Sequence, residues 1–339
     1  MKKQKTAIFL HILCILPLLC ACAPQTASRD LFAMDTYMHL TAHGGNADAA
    51  LGLCAQRIAA LEQTLSITDE TSDIWEINHA DGKPVTVSPD TAHILTAAQE
   101  IGAQTGGALD ISLYPVLSAW GFTQDAQQIP DAQTLADALE LVDFRRITLD
   151  GDTVQLPAGM QLDLGALAKG YTGDCVLELL RENGVTSALV SLGGNVQALG
   201  TKPDGSRWTV AVQSPFDPAA QLCTVEIADE AVITSGSYER YFTDENGNSY
   251  PHILDPSNGF PADNGLVSVT VIGESGLRCD ALSTALFVLG KEDAAQFWQE
   301  YGDFEMILVT QDGELSYTEG LCGMLTLPDG TDAEVIAHD

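Results

Sequence analysis

The sequence predicts an α+β fold, in which helices dominate the first half of the chain and strands dominate the second. Apolar residues recur at helical spacing between residues 46 and 104, whereas short β-rich runs follow residue 187. No GxGxxG motif follows a first strand and no Walker A motif occurs, so neither standard nucleotide-binding fold is indicated. We expect antiparallel-rich sheets with flanking helices, not a regular βαβ alternation.

The first half is assigned from apolar spacing and capping residues. Residues 31–42 predict one strand, and residues 46–65 predict a helix with a single apolar face. Ser88-Pro89 supplies an N-cap hydroxyl and a proline at the first helical position, so a helix begins there and runs to about Gln104. Further helices are predicted around Ile74 and Ile77, at residues 112–120 and at residues 131–141.

The second half alternates turns with short strands. Asp150-Gly151 predicts the turn of a hairpin over residues 146–156, and Gly184 ends a long helix over residues 164–183. Two more helices are predicted at residues 280–289 and 291–301. Strands are predicted at residues 187–192, 196–199, 208–212, 223–227, 238–243, 249–254, 267–272, 306–310 and 315–317.

The N-terminus has the pattern of an export signal. Three lysines precede an apolar stretch, residues 6–18, that is short for a membrane span. The Leu-Cys-Ala-Cys sequence ending at Cys22 resembles the lipobox of bacterial lipoproteins, with an ordinary signal peptide or a single anchor helix as the alternative. We expect a signal peptide at 1–21, a lipid on Cys22, a tether at 22–30 and one domain at 31–335, held at the extracytoplasmic face of the cell membrane.

Composition limits the partners. The formal net charge of -32 argues against nucleic acid, although metal and backbone amides could still offset the charge of one nucleotide. Five of the eight cysteines lie beyond the leader and its lipidation residue, and they form no CxxC. An odd number excludes a complete disulfide framework, so we expect buried thiols and no zinc site.

Two segments about a hundred residues apart are the best candidates for chemistry. One runs from Asp163 to Tyr171 and the other from Cys279 to Leu286, and each is predicted to begin a helix with its aspartate. Asp280 and Thr284 are four residues apart, so on a helix they share one face. A carboxylate and a hydroxyl are hard oxygen ligands that suit Mg2+. Either aspartate alone is more typical of an N-cap.

Three other segments are weaker candidates. Residues 191–195 (Ser-Leu-Gly-Gly-Asn) allow a ligand to approach the backbone closely, but are also typical of an ordinary turn. Residues 234–240 combine hydroxyls, a glycine and Arg240, which suits a pyrophosphate or equally a surface turn. His252 could act as a general base near neutral pH, although a lone histidine on a strand is more often structural.

The ordered set of motifs resembles the bacterial FAD:protein FMN transferases, long called thiamin-biosynthesis lipoproteins. The resemblance covers about residues 31–310, and the lipobox agrees with it. The matching segments are residues 34–36, 65–66, 72–78, 107–110, 115–122, 163–171 with Asp174, 192–195, 234–242, 252–261 and 280–290. The resemblance implies a two-lobed unit with FAD between the lobes. It also implies Mg2+-dependent transfer of FMN from FAD to a threonine hydroxyl of an acceptor protein, with release of AMP.

The resemblance also implies the site residues. The metal ligands are the carbonyl of Ala166 and the side chains of Asp280, Thr284 and Ser283, and His252 activates the acceptor hydroxyl. The implied FAD contacts are Met34, Thr68, Ala108, Leu109, Asp110, Asp163, Lys169 and Leu254. This chain departs from some relatives at Thr68, where they carry an aromatic residue, and at Ser283, where they carry aspartate.

Two other functions fit the same motifs. An FAD pyrophosphatase would use the same metal site with water in place of the acceptor, giving FMN and AMP. A flavin-binding lipoprotein without catalysis would bind FAD and leave it intact.

Overall fold

The structure is a computed structural model that describes residues 26–123 and 126–338. The predicted signal peptide and Cys22 lie outside the described residues. Within those ranges, no helix has both the length and the apolar character that a membrane span needs.

The strands and helices are numbered in chain order. The strands are β1 (Thr26–Ala33), β2 (Thr36–His43), β3 (Val85–Thr86), β4 (Thr148–Asp150), β5 (Thr153–Gln155), β6 (Ser187–Leu192), β7 (Asn195–Leu199), β8 (Trp208–Gln213), β9 (Gln221–Ile227), β10 (Ala231–Gly236), β11 (Tyr241–Thr243), β12 (Ser249–Pro251), β13 (Leu266–Gly273), β14 (Glu305–Thr310), β15 (Leu315–Thr318), β16 (Leu325–Thr326) and β17 (Ala333–Ile336). The α-helices are α1 (Ala47–Leu65), α2 (Asp73–His79), α3 (Pro89–Gln104), α4 (Tyr114–Ala119), α5 (Ala132–Leu139), α6 (Ala168–Glu182), α7 (Gly276–Leu289) and α8 (Lys291–Tyr301).

A nine-stranded sheet organises the fold, in the order β1-β2-β6-β7-β10-β13-β14-β15-β17. Each neighbouring pair is antiparallel except β15 and β17, which run parallel. Smaller sheets are formed by β8, β9 and β16, by β3, β4 and β5, and by β11 and β12. The predicted α+β class with mostly antiparallel sheets is confirmed.

The two faces of the large sheet are covered differently. Ile233 on β10 and its partner Val271 on β13 pack with helices α3, α7 and α8 in the largest apolar core. The neighbouring pair, Val232 and Ile272, points the other way and packs against β8 and β9. This period of two is the strand alternation that buries both faces of the sheet. It leaves α6 and α7 on one face, beside each other.

The prediction of one strand over residues 31–42 is wrong, because the segment belongs to a hairpin. Met34 and Asp35 form the turn between β1 and β2, with φ of 49° and 56°. Positive φ at both turn positions matches the twist of a two-residue hairpin. Such turns usually carry Asn-Gly or Asp-Gly, and Met-Asp is not a recognisable turn sequence. Strand β1 begins at Thr26, inside the predicted tether at residues 22–30.

The boundaries of two site-bearing helices also differ from prediction. Helix α6 begins at Ala168 and not at residue 164, because the intervening residues form a turn. Helix α7 begins at Gly276 and is capped by Ser275, whose Oγ accepts from the N–H of Arg278 at 3.3 Å. Strand β10 was missed, because a strand buried on both faces shows no alternation and this one ends in Thr-Ser-Gly.

Candidate functional site

The two predicted segments meet where α6 crosses α7. The backbone N–H of Gly170 donates to Oδ2 of Asp280 at 2.8 Å. Gly170 is the third residue of α6, so its N–H is one of the donors at a helix N-terminus that normally lack a partner. Asp280 is buried, and its charge is therefore stabilised by the start of a different helix.

Neither predicted aspartate begins its own helix. Asp163 lies five residues before α6, where Oδ1 accepts from the N–H of Gly165 at 2.8 Å and thereby shapes the turn. Asp280 is the fifth residue of α7. Burial raises the pKa of the Asp163 carboxyl, and the nearby positive charges of Arg240 and Lys169 oppose that rise.

The bond from Gly170 to Asp280 also bears on Ala166. If α6 began one residue earlier, the N–H of Gly170 would donate to the carbonyl oxygen of Ala166. Here it goes to Asp280, and among the described residues no donor reaches the Ala166 oxygen. A backbone oxygen and a carboxylate are thus brought to the same helix start.

Three hydroxyl groups form a hydrogen-bonded chain next to Asp280. The Oγ of Ser283 donates to the carbonyl of Asp280 at 2.8 Å and lies 2.8 Å from the Oγ of Ser235. The Oγ of Ser235 lies 3.2 Å from Oγ1 of Thr284. Because the Ser283 proton goes to Asp280, a consistent order of donation runs from Thr284 through Ser235 to Ser283. That order leaves the lone pairs of Thr284 available to a cation.

Ser283 and Ser235 differ in what the sequence suggested. Ser283 is fully buried and both donates and accepts within the chain of hydroxyls, so its oxygen suits a metal less well than that of Thr284. Ser235 was overlooked as a site residue. The only sequence signal was its place in the hydroxyl-rich segment 234–240, and its partners became visible only when β10 packed against α7.

The donor set fits Mg2+. Asp280 supplies a carboxylate, of which only Oδ2 accepts a hydrogen bond within the described part of the chain, while Thr284 and Ala166 supply neutral oxygens. No group of three His, Cys, Asp or Glu residues that could hold a metal occurs in the described ranges. Sparse protein ligands, all of them oxygen, are typical of Mg2+ that completes its shell with substrate phosphates and water.

His252 directly follows β12 and lies opposite Arg240. Its Nδ1 lies 3.1 Å from the carbonyl oxygen of Arg240, and its ring meets Phe122 edge to face at 6.5 Å between centroids. Burial lowers the pKa of His252 to about 4, and the charges of Arg240 and Lys169 add to this effect. The imidazole is therefore neutral at physiological pH, which is the form that can accept a proton.

Glu239 was not identified from the sequence, which showed only an acidic residue in a hydroxyl-rich turn. The residue is exposed, yet the protein atoms around its carboxyl desolvate it and raise its pKa to about 7. Lys169 lowers this pKa and Asp280 raises it further, so all three charges lie close together.

The residues implied for FAD binding differ in their surroundings. The carboxylate of Asp110 accepts from the N–H and Oγ of Ser112 at 2.8 and 2.6 Å, and from the N–H of Phe144 at 3.0 Å. These bonds occupy both oxygens, so Asp110 holds its own loop in shape. Burial raises the pKa of this carboxyl. Ala108 and Leu109 precede it, and Leu109 is buried in the main core.

Three other implied FAD contacts lie in turns or core. The N–H of Met34 donates to Oε1 of Glu62 at 2.6 Å, which fixes the hairpin turn. The N–H of Thr68 donates to the Oγ of Ser66 at 3.1 Å in the loop after α1. Leu254 is buried beside Trp120.

The fold and the site together define an α+β protein in which two helix starts bring oxygen ligands together. Residues 34–308 match the ApbE family, and the chain belongs to that family. A Klebsiella pneumoniae protein named FAD:protein FMN transferase is 37% identical over 266 residues, covering 77% of this chain and 82% of that protein. A Treponema pallidum protein of the same name is 34% identical over 286 residues, covering 79% of each chain.

Solved structures agree with this assignment. The ApbE protein of Thermotoga maritima has a TM-score of 0.83 at 29% identity, covering 88% of this chain and 99% of that chain. The apo form of Pseudomonas stutzeri flavinyl transferase ApbE has a TM-score of 0.80 at 30% identity, covering 89% and 97%.

Proposed function

We propose that this chain is an FAD:protein FMN transferase, an enzyme that moves FMN from FAD to a hydroxyl of an acceptor protein. The named relatives and the shared fold support the reaction class. The main structural support for the site is the hydrogen bond from the Gly170 N–H to Asp280. It places the Asp280 carboxylate at the helix start where the carbonyl of Ala166 has no donor among the described residues. FAD is the substrate, and we propose that it lies in the cleft between two lobes.

We propose that Mg2+ is held by Asp280, Thr284 and the carbonyl of Ala166. Ser283 stabilises this arrangement through its hydrogen bonds to the Asp280 carbonyl and to Ser235. The ion would supply charge neutralisation on the pyrophosphate, where negative charge builds as the anhydride breaks.

Lys169 and Arg240 contribute two more positive charges beside Asp163 and His252. This local positive charge offsets the overall acidity of the chain for an anionic substrate.

His252 is the proposed base. Its Nε2 takes the proton of the acceptor threonine, whose oxygen forms a bond to the phosphorus of the FMN half. The phosphorus–oxygen bond to AMP breaks, and AMP leaves with the electron pair. The carbonyl of Arg240 keeps the other ring nitrogen protonated and orients the ring.

We propose that the flavin is contacted by the backbone of two turns, at Met34 and at residues 108–110. The other proposed contacts are Asp163, Lys169, Leu254 and the loop at Thr68. Asp110 acts by holding its loop, because both of its carboxylate oxygens are already bonded. No aromatic side chain stands at Thr68, so we expect no ring stacking on flavin from that position.

Incubation of the purified protein with FAD, Mg2+ and an acceptor tests the reaction. We expect a fluorescent acceptor band that survives a denaturing gel, together with one AMP per FMN attached. An acceptor whose threonine is replaced by alanine should remain unlabelled. Free FMN and AMP without any labelled acceptor would indicate the pyrophosphatase instead, and intact FAD would indicate a binding protein.

We also propose that the protein is anchored through a lipid on Cys22 at the extracytoplasmic face of the membrane. The lipobox-like sequence supports this proposal. Fatty-acid labelling of the cells followed by purification should label the wild-type protein. Labelling that persists in Cys22→Ala would contradict the proposed attachment site.

A further inference from the structure

Helices α6 and α7 each supply an aspartate that accepts a hydrogen bond from the N-terminal turn of the other helix. Asp280 on α7 accepts from Gly170 at the start of α6, and Asp174 on α6 accepts from the start of α7. As the residue number rises along α6 it falls along α7, so the two helices cross antiparallel with their N-terminal turns side by side. Each carboxylate is therefore held by the partial positive charge of the other helix.

The bonds of Asp174 use its whole carboxylate. Oδ1 accepts from the N–H of Gly276 at 2.7 Å, and Oδ2 accepts from the N–H of Leu277 at 2.9 Å and from the Oγ of Ser275 at 3.2 Å. All three donors belong to the first residues of α7 or to its cap, so both oxygens of Asp174 are directed at the start of that helix. Asp174 therefore acts on the site through the position of α7.

The packing at the crossing transmits such an effect. A Cβ on Gly170 would lie 2.7 Å from the Cβ of Asp280 and still closer to the carbonyl of Gly276. The Nε2 of buried Gln197 donates to the carbonyl of Gly170 at 2.9 Å from the adjacent strand β7. With backbone so close and one side chain wedged beside it, α7 cannot shift at its start without moving Asp280.

We propose that Asp174 is a positioning residue for the oxygen site. By holding the first turn of α7, it sets the distance at which Asp280 takes the N–H of Gly170, and this in turn keeps the carbonyl of Ala166 free. This inference deepens the proposed function, because the site that Asp174 positions is the proposed Mg2+ site.

The first test needs no ligand. Amide hydrogen exchange of the full-length protein is measured for wild type and Asp174→Asn, in which one acceptor oxygen is replaced by a donor. We expect exchange at least about tenfold faster at Gly276 and Leu277, and also at Gly170 on the other helix. Unchanged protection at Gly170, with Gly276 and Leu277 deprotected, would overturn the inference.

The second test uses Mn2+ as a spectroscopic probe in the presence of FAD. We expect Asp174→Asn to bind Mn2+ at least about tenfold more weakly, the scale of losing a partner that orients a metal ligand. An affinity within twofold of wild type would contradict a positioning role. If the wild type binds no Mn2+, the proposed function fails, while the exchange at Gly170 still decides the inference.

One variant serves as a control, and a second replaces Asp174→Asn if that variant does not fold. Asp131 caps α5 by accepting from the N–H of Gln133 and of Thr134, both at 3.0 Å, so Asp131→Asn makes the same substitution at a helix cap in another place. It should leave Mn2+ affinity and Gly170 exchange unchanged. If Asp174→Asn does not fold, Ser275→Ala loosens the same end of α7 more gently and should shift both readouts in the same direction by about threefold.

Discussion

The Nδ1 of His252 lies 3.1 Å from the carbonyl oxygen of Arg240. A carbonyl oxygen only accepts, so the bonded ring nitrogen carries the proton and Nε2 keeps its lone pair. The tertiary structure thereby selects the tautomer that a general base requires. It also holds this base beside the positive charges of Lys169 and Arg240.

Replacement of His252 should separate chemistry from binding. We expect His252→Gln to lower the rate of FMN transfer by about 10²–10⁴, while FAD affinity stays within a few-fold of wild type. Single-turnover labelling of an acceptor and fluorescence titration with FAD measure the two quantities. His338→Gln is the matched control, since His338 stacks on Trp298 near the C-terminus. A fall in FAD affinity that accounts for the lost rate would refute the assignment as a base.

The pKa of His252 should lie well below the usual value for histidine. Its folded pKa of about 4 lies below the ordinary value of 6.5, because burial disfavours the imidazolium. The stability that this histidine contributes is therefore complete above pH 6.5 and is lost as the pH falls towards 4. NMR titration of the ring should show a midpoint near 4. A midpoint near 6.5 would show that the ring is solvated.

Glu239 should have the opposite pH dependence. Its folded pKa of about 7 lies above the ordinary 4.5, so its contribution to stability is complete below pH 4.5 and is lost as the pH rises through 7. We expect Glu239→Gln to gain stability relative to wild type between pH 4.5 and 8. Urea unfolding at several pH values measures this difference, and a constant difference across that range would disprove it.

Substitutions in the hydroxyl chain should rank the proposed ligands. We expect Asp280→Ala to lower FMN transfer by about 10²–10³, the loss typical of one electrostatic contact to the transition state. Thr284→Val should cost less than Asp280→Ala. Ser283→Ala should cost least, because the Ser283 oxygen is fully buried and is already bonded to Ser235 and to the carbonyl of Asp280. The measurements are the rate of FMN transfer at saturating Mg2+ and the Mg2+ concentration at half-maximal rate for each variant. A larger effect for Ser283→Ala than for Thr284→Val would reverse the proposed roles.

The helix crossing should be intolerant of a single added methyl group. Gly170→Ala places a Cβ against Gly276 and Asp280, and we expect it to destabilise the protein by about 1–3 kcal/mol through overpacking. Gly52, in α1, is the matched control, because its Cβ would meet only a side-chain atom of Arg29 at 4.0 Å. Gly52→Ala should stabilise by about 0.5–1 kcal/mol. Thermal and urea unfolding of both variants give the comparison.

Local sequence signals predicted several elements well. Ser88-Pro89 begins α3 as expected, since the hydroxyl of Ser88 accepts from Thr91 and proline already has a helical φ. The bounds predicted for β6 and α8 match the structure. These features depend on a few neighbouring residues, so they can be identified before tertiary contacts are known.

The sequence by itself determined the α+β class, the spacing that puts Asp280 and Thr284 on one helix face, and the motifs of the family. Only the tertiary structure decided that Asp280 takes the N–H of Gly170, that Ser235 joins the hydroxyl chain and that Glu239 lies near Lys169. The physical reason is that these contacts join residues far apart in the chain. Their distances depend on how α6, α7 and β10 pack, and no local pattern specifies that packing.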